Sequence, residues 1–89
     1  MNKEIYYVIA FDSTHHAIKA EKKLKERKVD IKTIPTPREI TASCGLSIRF
    51  SGNFLDNVKD VLSSDTFNIK GLYRFLKTKD KKIVEKVKL

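Results

Sequence analysis

Cys44 is the only cysteine of this chain, and Gly45 follows it directly. A thiolate is a nucleophile and can exchange or carry sulfur, provided that it is reachable and that its pKa is low. Glycine has no Cβ, so the backbone beside the thiol can turn sharply and leave the sulfur approachable. The stretch leading to it, Ile34 to Leu46, also holds both prolines of the chain, Pro35 and Pro37. Each proline fixes its own φ and disfavours helix in the residue before it, so the stretch begins extended and stiff. A stiff arm that brings one thiol to a tight corner suits a site. It also suits a plain connector whose cysteine is a small core residue, because free cysteine is among the most buried types. On composition and spacing alone the connector is the simpler of the two readings.

Other chemistries fit less well. One cysteine forms no internal disulfide, and there is no CxxC pair for a zinc or thioredoxin-like site. Cys44 with His15 or His16 could begin a metal site, but neighbouring helical residues diverge by ~100°, so only one imidazole could face the sulfur. Zinc usually needs three or four protein ligands, and no metal is expected. A Cys–His pair for nucleophilic catalysis lacks a third residue to orient the base. Paired carboxylates, phosphate-cradling glycine loops and nucleotide fingerprints are absent, so neither catalytic residues nor a cofactor is expected.

Eighty-nine residues, 40% hydrophobic and 34% charged, describe one small ordered domain. No apolar run approaches the ~20 residues of a membrane span, and the N-terminus lacks the apolar core of a signal peptide. A lone thiol suits a reducing compartment, and a cytoplasmic location is expected. The net charge is +8. Residues 70–89 carry eight Lys/Arg against two acids, so the excess is mostly C-terminal. Such a run is usually a solvated surface, with attraction to nucleic acid the less common case.

The elements that must position the thiol follow from periodicity. Glu4 to Phe11 reads as a strand, with Ile5, Tyr7, Ile9 and Phe11 on one face and Tyr6, Val8 and Ala10 on the other. Two apolar faces suit a central strand. Ser13 or Thr14 supplies a capping hydroxyl, and a helix runs to about Lys28 on a narrow stripe of Ala17, Ala20 and Leu24. Val29 to Ile34 alternates as a second strand ended by Pro35. Leu46, Ile48 and Phe50 alternate with Ser47 and Arg49 as a third. Asn53 to about Ser63 is a second helix carrying Leu55, Val58 and Leu62, closed by Ser63-Ser64-Asp65. Ile69 to Leu76 is a fourth strand, weakened by Gly71. Ile83 to Leu89 fits either a short helix or an extra edge strand.

The order β-α-β-β-α-β points to an α+β, ferredoxin-like sandwich: a four-stranded antiparallel sheet with two helices on one face. Its domain is expected over residues 1–76, with 77–89 as a basic C-terminal extension. With a strand order of 4-1-3-2, the third strand starts beside the end of the first, at the same sheet edge as the start of the first helix. Cys44 would then lie near Asp12, Ser13, Thr14 and the free amides of the first helical turn, whose partial positive charge favours a thiolate. Arg38 would add to this if the loop folds back, and an Asp12 carboxylate facing the sulfur would oppose it. Strict alternation puts Cys44 on the core face, but Gly45 can break the alternation. Tyr6 falls on the open face with Arg49, and Tyr73 can join them. The third strand matches aromatic RNA-binding patterns poorly, so Tyr6 is expected to be a core-edge or dimer contact rather than a base-stacking platform.

Several of these residues together resemble a known pattern. Phe11, Ser13 and Thr14 open a helix, and Pro35-x-Pro37-Arg38-Glu39 follows. Ser43-Cys44-Gly45-Leu46 then precedes a strand that ends in Arg49-Phe50. With the helical run Ala17 to Lys25, this resembles a selenium/sulfur carrier-like family of small prokaryotic proteins. The block from the Pro-Arg-Glu to the Cys-Gly-Leu is its most specific part. The resemblance implies a carrier or accessory protein rather than an enzyme, with Cys44 holding sulfur or selenium as a persulfide or selenosulfide. In that reading Gly45 gives backbone clearance, the Ser13/Thr14 helix start gives electrostatic support, and Arg38 pairs with the anion. Glu39 is structural. The implied partners are a cysteine desulfurase or a selenium-handling protein, with a homodimer a further option and no membrane. The alternatives are a nucleic-acid- or anion-binding module using the basic C-terminus, or a structural or regulatory subunit.

Overall fold

The computed structural model describes residues 4–38, 40, 45–64 and 69–87. Its first strand, β1 (Glu4–Phe11), has no polar side chain after Tyr7, and Val8, Ile9 and Ala10 are wholly buried. A strand apolar on both faces must be flanked on both edges and covered on both sides. Accordingly β1 pairs with β3 (Leu46–Phe50) along one edge and with β4 (Ile69–Lys77) along the other, both antiparallel. β2 (Ile31–Pro35) lies outside β3, and β5 (Lys82–Val87) lies outside β4. The sheet order is therefore β2-β3-β1-β4-β5.

Two helices, α1 (Thr14–Glu26) and α2 (Leu55–Ser64), complete the α+β domain. Ala17, Ala20 and Leu24 of α1 and Val58 and Val61 of α2 join Ile9, Phe11, Ile48, Phe50 and Leu72 of the sheet in one core. The alanines bring α1 close to the sheet, as the narrow stripe of its sequence implies. Glu21 of α1 accepts a hydrogen bond from the Thr33 hydroxyl and tethers the helix to β2.

The sheet has five strands and not the four expected. Of the two conformations open to Ile83–Leu89, the chain takes the strand, over Lys82–Val87. The physical reason is the long outer edge of β4, which would otherwise leave a row of backbone groups unpaired. Thr78 closes the hairpin: its amide donates to the Lys81 carbonyl (2.8 Å) and its hydroxyl accepts from the Lys81 amide (3.0 Å). Arg74 and Glu85 pair across the two strands, and Val87 packs against the core. Residues 82–87 of the expected basic extension are thus part of the sheet.

Boundaries shift for local reasons. β2 begins at Ile31 rather than Val29 because the chain leaves α1 through a left-handed residue, Lys28, at φ 61°. The Lys28 amide donates to the Lys25 carbonyl and the Val29 amide to that of Leu24, both at 3.0 Å. That pattern is the Schellman closure, with Val29 and Leu24 in hydrophobic contact beneath it. Pro35 is the last residue of β2 rather than the residue that stops it, which an edge strand tolerates. The second helix is preceded by a single 3₁₀ turn, Gly52–Phe54, capped by the Ser51 hydroxyl.

A non-glycine residue in the left-handed region costs about 1–2 kcal/mol. Lys28→Gly should therefore raise stability by about 1 kcal/mol, a melting-temperature gain of about 4–8 °C for a domain of this size. A thermal melt followed by circular dichroism checks this, and an unchanged or lower midpoint would refute it.

Candidate functional site

One end of the sheet gathers most of the residues singled out above. β1 stops there at Phe11, and α1 begins three residues on. The register Ala10↔Ser47 puts the start of β3 beside it, Pro35↔Leu46 adds the end of β2, and Phe11↔Ile69 adds the start of β4. Gly45, which leads into β3, is therefore at the same end as Ser13 and Thr14. Cys44, Ser43 and Glu39 lie outside the described residues.

The base of the segment that contains Cys44 is held by Thr36. The Thr36 amide donates to the Gly45 carbonyl (2.9 Å), and its hydroxyl is 2.8 Å from that of Ser47, which is fully buried. Two hydrogen bonds from Thr36, one to Gly45 and one with Ser47, thus join the two sides of the connection and fix its neck. Gly45 has no left-handed φ, and a Cβ there would meet Thr36 Oγ1 at 3.6 Å, an ordinary contact. Among the described residues nothing demands glycine at this position.

The helix start provides donors. Ser13 is the N-cap of α1, and its hydroxyl accepts from the His16 amide (3.3 Å). The first intrahelical bond runs from the Ala17 amide to the Ser13 carbonyl, so the amides of Thr14 and His15 precede the ladder. No acidic residue occupies the first turn to offset their partial positive charge. Asp12, the group that could have opposed an anion here, lies 3.8 Å from the Lys70 ammonium. Arg38 is exposed in a turn closed by the Ile40 amide to the Pro37 carbonyl (3.0 Å). The His15 and His16 rings meet edge to face at 6.1 Å, with His15 exposed and His16 half-buried. Among the described residues no three His, Cys, Asp or Glu side chains come together as a metal site.

Comparison with known families matches residues 6–74 to the one described as Putative Se/S carrier protein-like. The chain belongs to that family. The match runs from β1 into β4 and spans Ser13, Thr14, Arg38, Cys44 and Gly45, while β5 lies beyond it. No curated protein and no solved structure matches the chain.

Three residues of this sheet end were missed in the sequence: Thr36, Ser47 and Lys70. Ser47 reads as a polar residue on an exposed face, yet it is buried at the mouth of the connection. Its partner Thr36 is eleven residues away, and neither residue type announces the pair. Lys70 did leave a signal in Gly71, since glycine within a strand often marks a bulge. The β1–β4 register does shift between Ala10 and Phe11, opposite Gly71 and Ile69.

Removing one partner of a buried hydrogen bond costs more than removing both. Thr36→Val should destabilise by about 1–2 kcal/mol by stranding the Ser47 hydroxyl, and Thr36→Val/Ser47→Ala should recover part of that loss. Urea unfolding of the two variants decides it: a double variant worse than the single one would show that the hydroxyl pair does not hold the neck.

Proposed function

We propose that this protein is a sulfur or selenium carrier that holds its cargo on Cys44 as a persulfide or selenosulfide. Membership of the carrier-like family is the observation that carries the reading, and the matched segment includes the one cysteine of the chain. The position of Gly45 at the α1 N-terminal end supports it, because helix amides favour an anion nearby. The ion pair of Asp12 with Lys70 supports it further by offsetting the charge of a carboxylate at the same sheet end. We read the fold as ferredoxin-like, widened by one strand, and the protein as a stoichiometric carrier without turnover in the cytoplasm.

The transfer balances without an outside oxidant or reductant. The Cys44 thiolate attacks the outer sulfur of a persulfide on a donor such as a cysteine desulfurase. A new S–S bond forms on Cys44 as the donor's S–S bond breaks, and the donor's cysteine leaves as a thiolate. The loaded persulfide then yields its outer sulfur to an acceptor thiolate by the same step. A selenium-handling donor would deliver selenium in the equivalent way. Gly45 leaves the backbone clear for the partner's approach, and Thr14 and Ser13 at the helix start and Arg38 in the loop stabilise the anion.

Incubation with a cysteine desulfurase and cysteine should add the mass of one sulfur, removable by reductant and absent in Cys44→Ser. Alkylation rate against pH should give a midpoint below the ~8.5 of an ordinary cysteine, and Arg38→Ala should raise it. A thiol that is inert in the native protein but alkylates freely in denaturant would mark Cys44 as a core residue and end the carrier reading.

A further inference from the structure

The sheet face opposite the helices carries an arrangement that sulfur transfer does not use. The registers set Lys32, Arg49, Val8, Tyr73 and Lys86 directly opposite one another, in a row that crosses all five strands. At about 4.8 Å between strands this row is roughly 19 Å long. Lys77 and Lys82 form a second basic pair on the same face, next to Glu4. Basic residues that looked like a C-terminal tail are therefore built into a flat surface.

Aromatic rings are placed between these charges. Tyr6 and Phe75 stack at 5.1 Å, with the Arg49 guanidinium 3.9 Å over the outer face of Tyr6 and Lys82 5.6 Å from Phe75. Both faces of Tyr6 are thus taken, one of them by the Arg49 guanidinium, which the Glu4 carboxylate also holds at 3.3 Å. The outer surface of that guanidinium is a plane on which a base can stack. Tyr73 offers a second plane. It is half-exposed and leans across Gly71, where an added Cβ would fall 3.1 Å from the ring. Beside Arg49 the face opens into a hollow of about 460 Å³ whose lining includes Tyr6, Asp30, Lys32 and Ser51. That volume suits one planar heterocycle with its polar edge.

We infer that this face binds single-stranded nucleic acid. Phosphates would lie along the row from Lys32 to Lys86, one base would stack on Tyr73, and another would enter the hollow beside Arg49. Charge alone does not select the face, because α1 is also lysine-rich. The combination of cations in register, two stacking planes and an adjoining hollow does select it. A sheet of this width accommodates two or three bases. The inference is independent of the carrier reading, since none of these residues touches the sheet end where Gly45 lies.

The test is fluorescence anisotropy with the full-length protein, using labelled oligouridylate, oligothymidylate and heparin across a salt series. Both oligonucleotides should bind, with log affinity falling by about 0.7 per neutralised phosphate for each unit of log salt. Lys32→Glu/Lys86→Glu should flatten that slope by about 1.4. Lys22→Glu/Arg27→Glu on α1 should leave it nearly unchanged. Tyr73→Leu should weaken both oligonucleotides about tenfold and leave heparin unaffected, because heparin has no bases to stack. Tighter binding of oligouridylate than of oligothymidylate would assign the face to RNA, and the reverse would assign it to DNA; either supports the inference. It is overturned by absence of binding at low salt, by equal losses from the α1 and open-face reversals, or by a Tyr73→Leu effect as large on heparin as on the oligonucleotides. Circular dichroism of each variant separates these outcomes from a failure to fold.

Discussion

β1 has to be buried on both faces, and the other elements are arranged around that requirement. Val8, Ile9 and Ala10 have no exposed surface, and each faces away from its neighbours along the strand. The helices can cover only the face of Ile9 and Phe11. The other face is covered by side chains alone. Arg49, Tyr6 and Phe75 lie over and against one another, and Tyr73 leans across Gly71. Long amphipathic side chains do here what a second layer would do elsewhere, burying their stems and keeping their charges in water. The same substitution for a missing layer leaves a surface rich in charge and ring planes.

Much of this was legible in the residues, and the parts that were not have a common cause. The two-sided apolar pattern of Glu4 to Phe11, the alanine stripe of α1 and the alternation of Leu46 to Phe50 are local signals, and each element lies where they put it. The shape of the connection before Ile31 depended on Lys28 adopting a conformation that glycine usually takes, so no glycine marked it. The fate of Ile83–Leu89 depended on the free edge of β4, which exists only after the sheet has assembled. Thr36 and Ser47 met across a connection between strands, and nothing in either residue's neighbours foretold it. Of the proposed carrier residues, Ser13 carried its signal in full, as a hydroxyl ahead of an amphipathic run.

The two sites argued for occupy different parts of one rigid sheet. β1 is eight residues long, so the end with Gly45 and the end with the hollow are roughly 25 Å apart. On the two proposals made above, that separation would let a donor protein approach the loop end while nucleic acid occupied the open face. The five antiparallel strands between them form a continuous hydrogen-bonded span with β1 at its centre.

The outermost strands have a consequence for behaviour in concentrated solution. β2 and β5 each present a backbone edge that another chain could extend into a fibril-like ribbon. β2 is short and ends in Pro35, which has no amide to offer, and Lys32 is its second residue. β5 carries Lys82, Glu85 and Lys86, all exposed, so a second copy laid against it would bring like charges together. The lysines that make the open face attractive to polyanions therefore also act as gatekeepers. A polyanion that neutralised them would remove the main electrostatic obstacle to edge-to-edge aggregation.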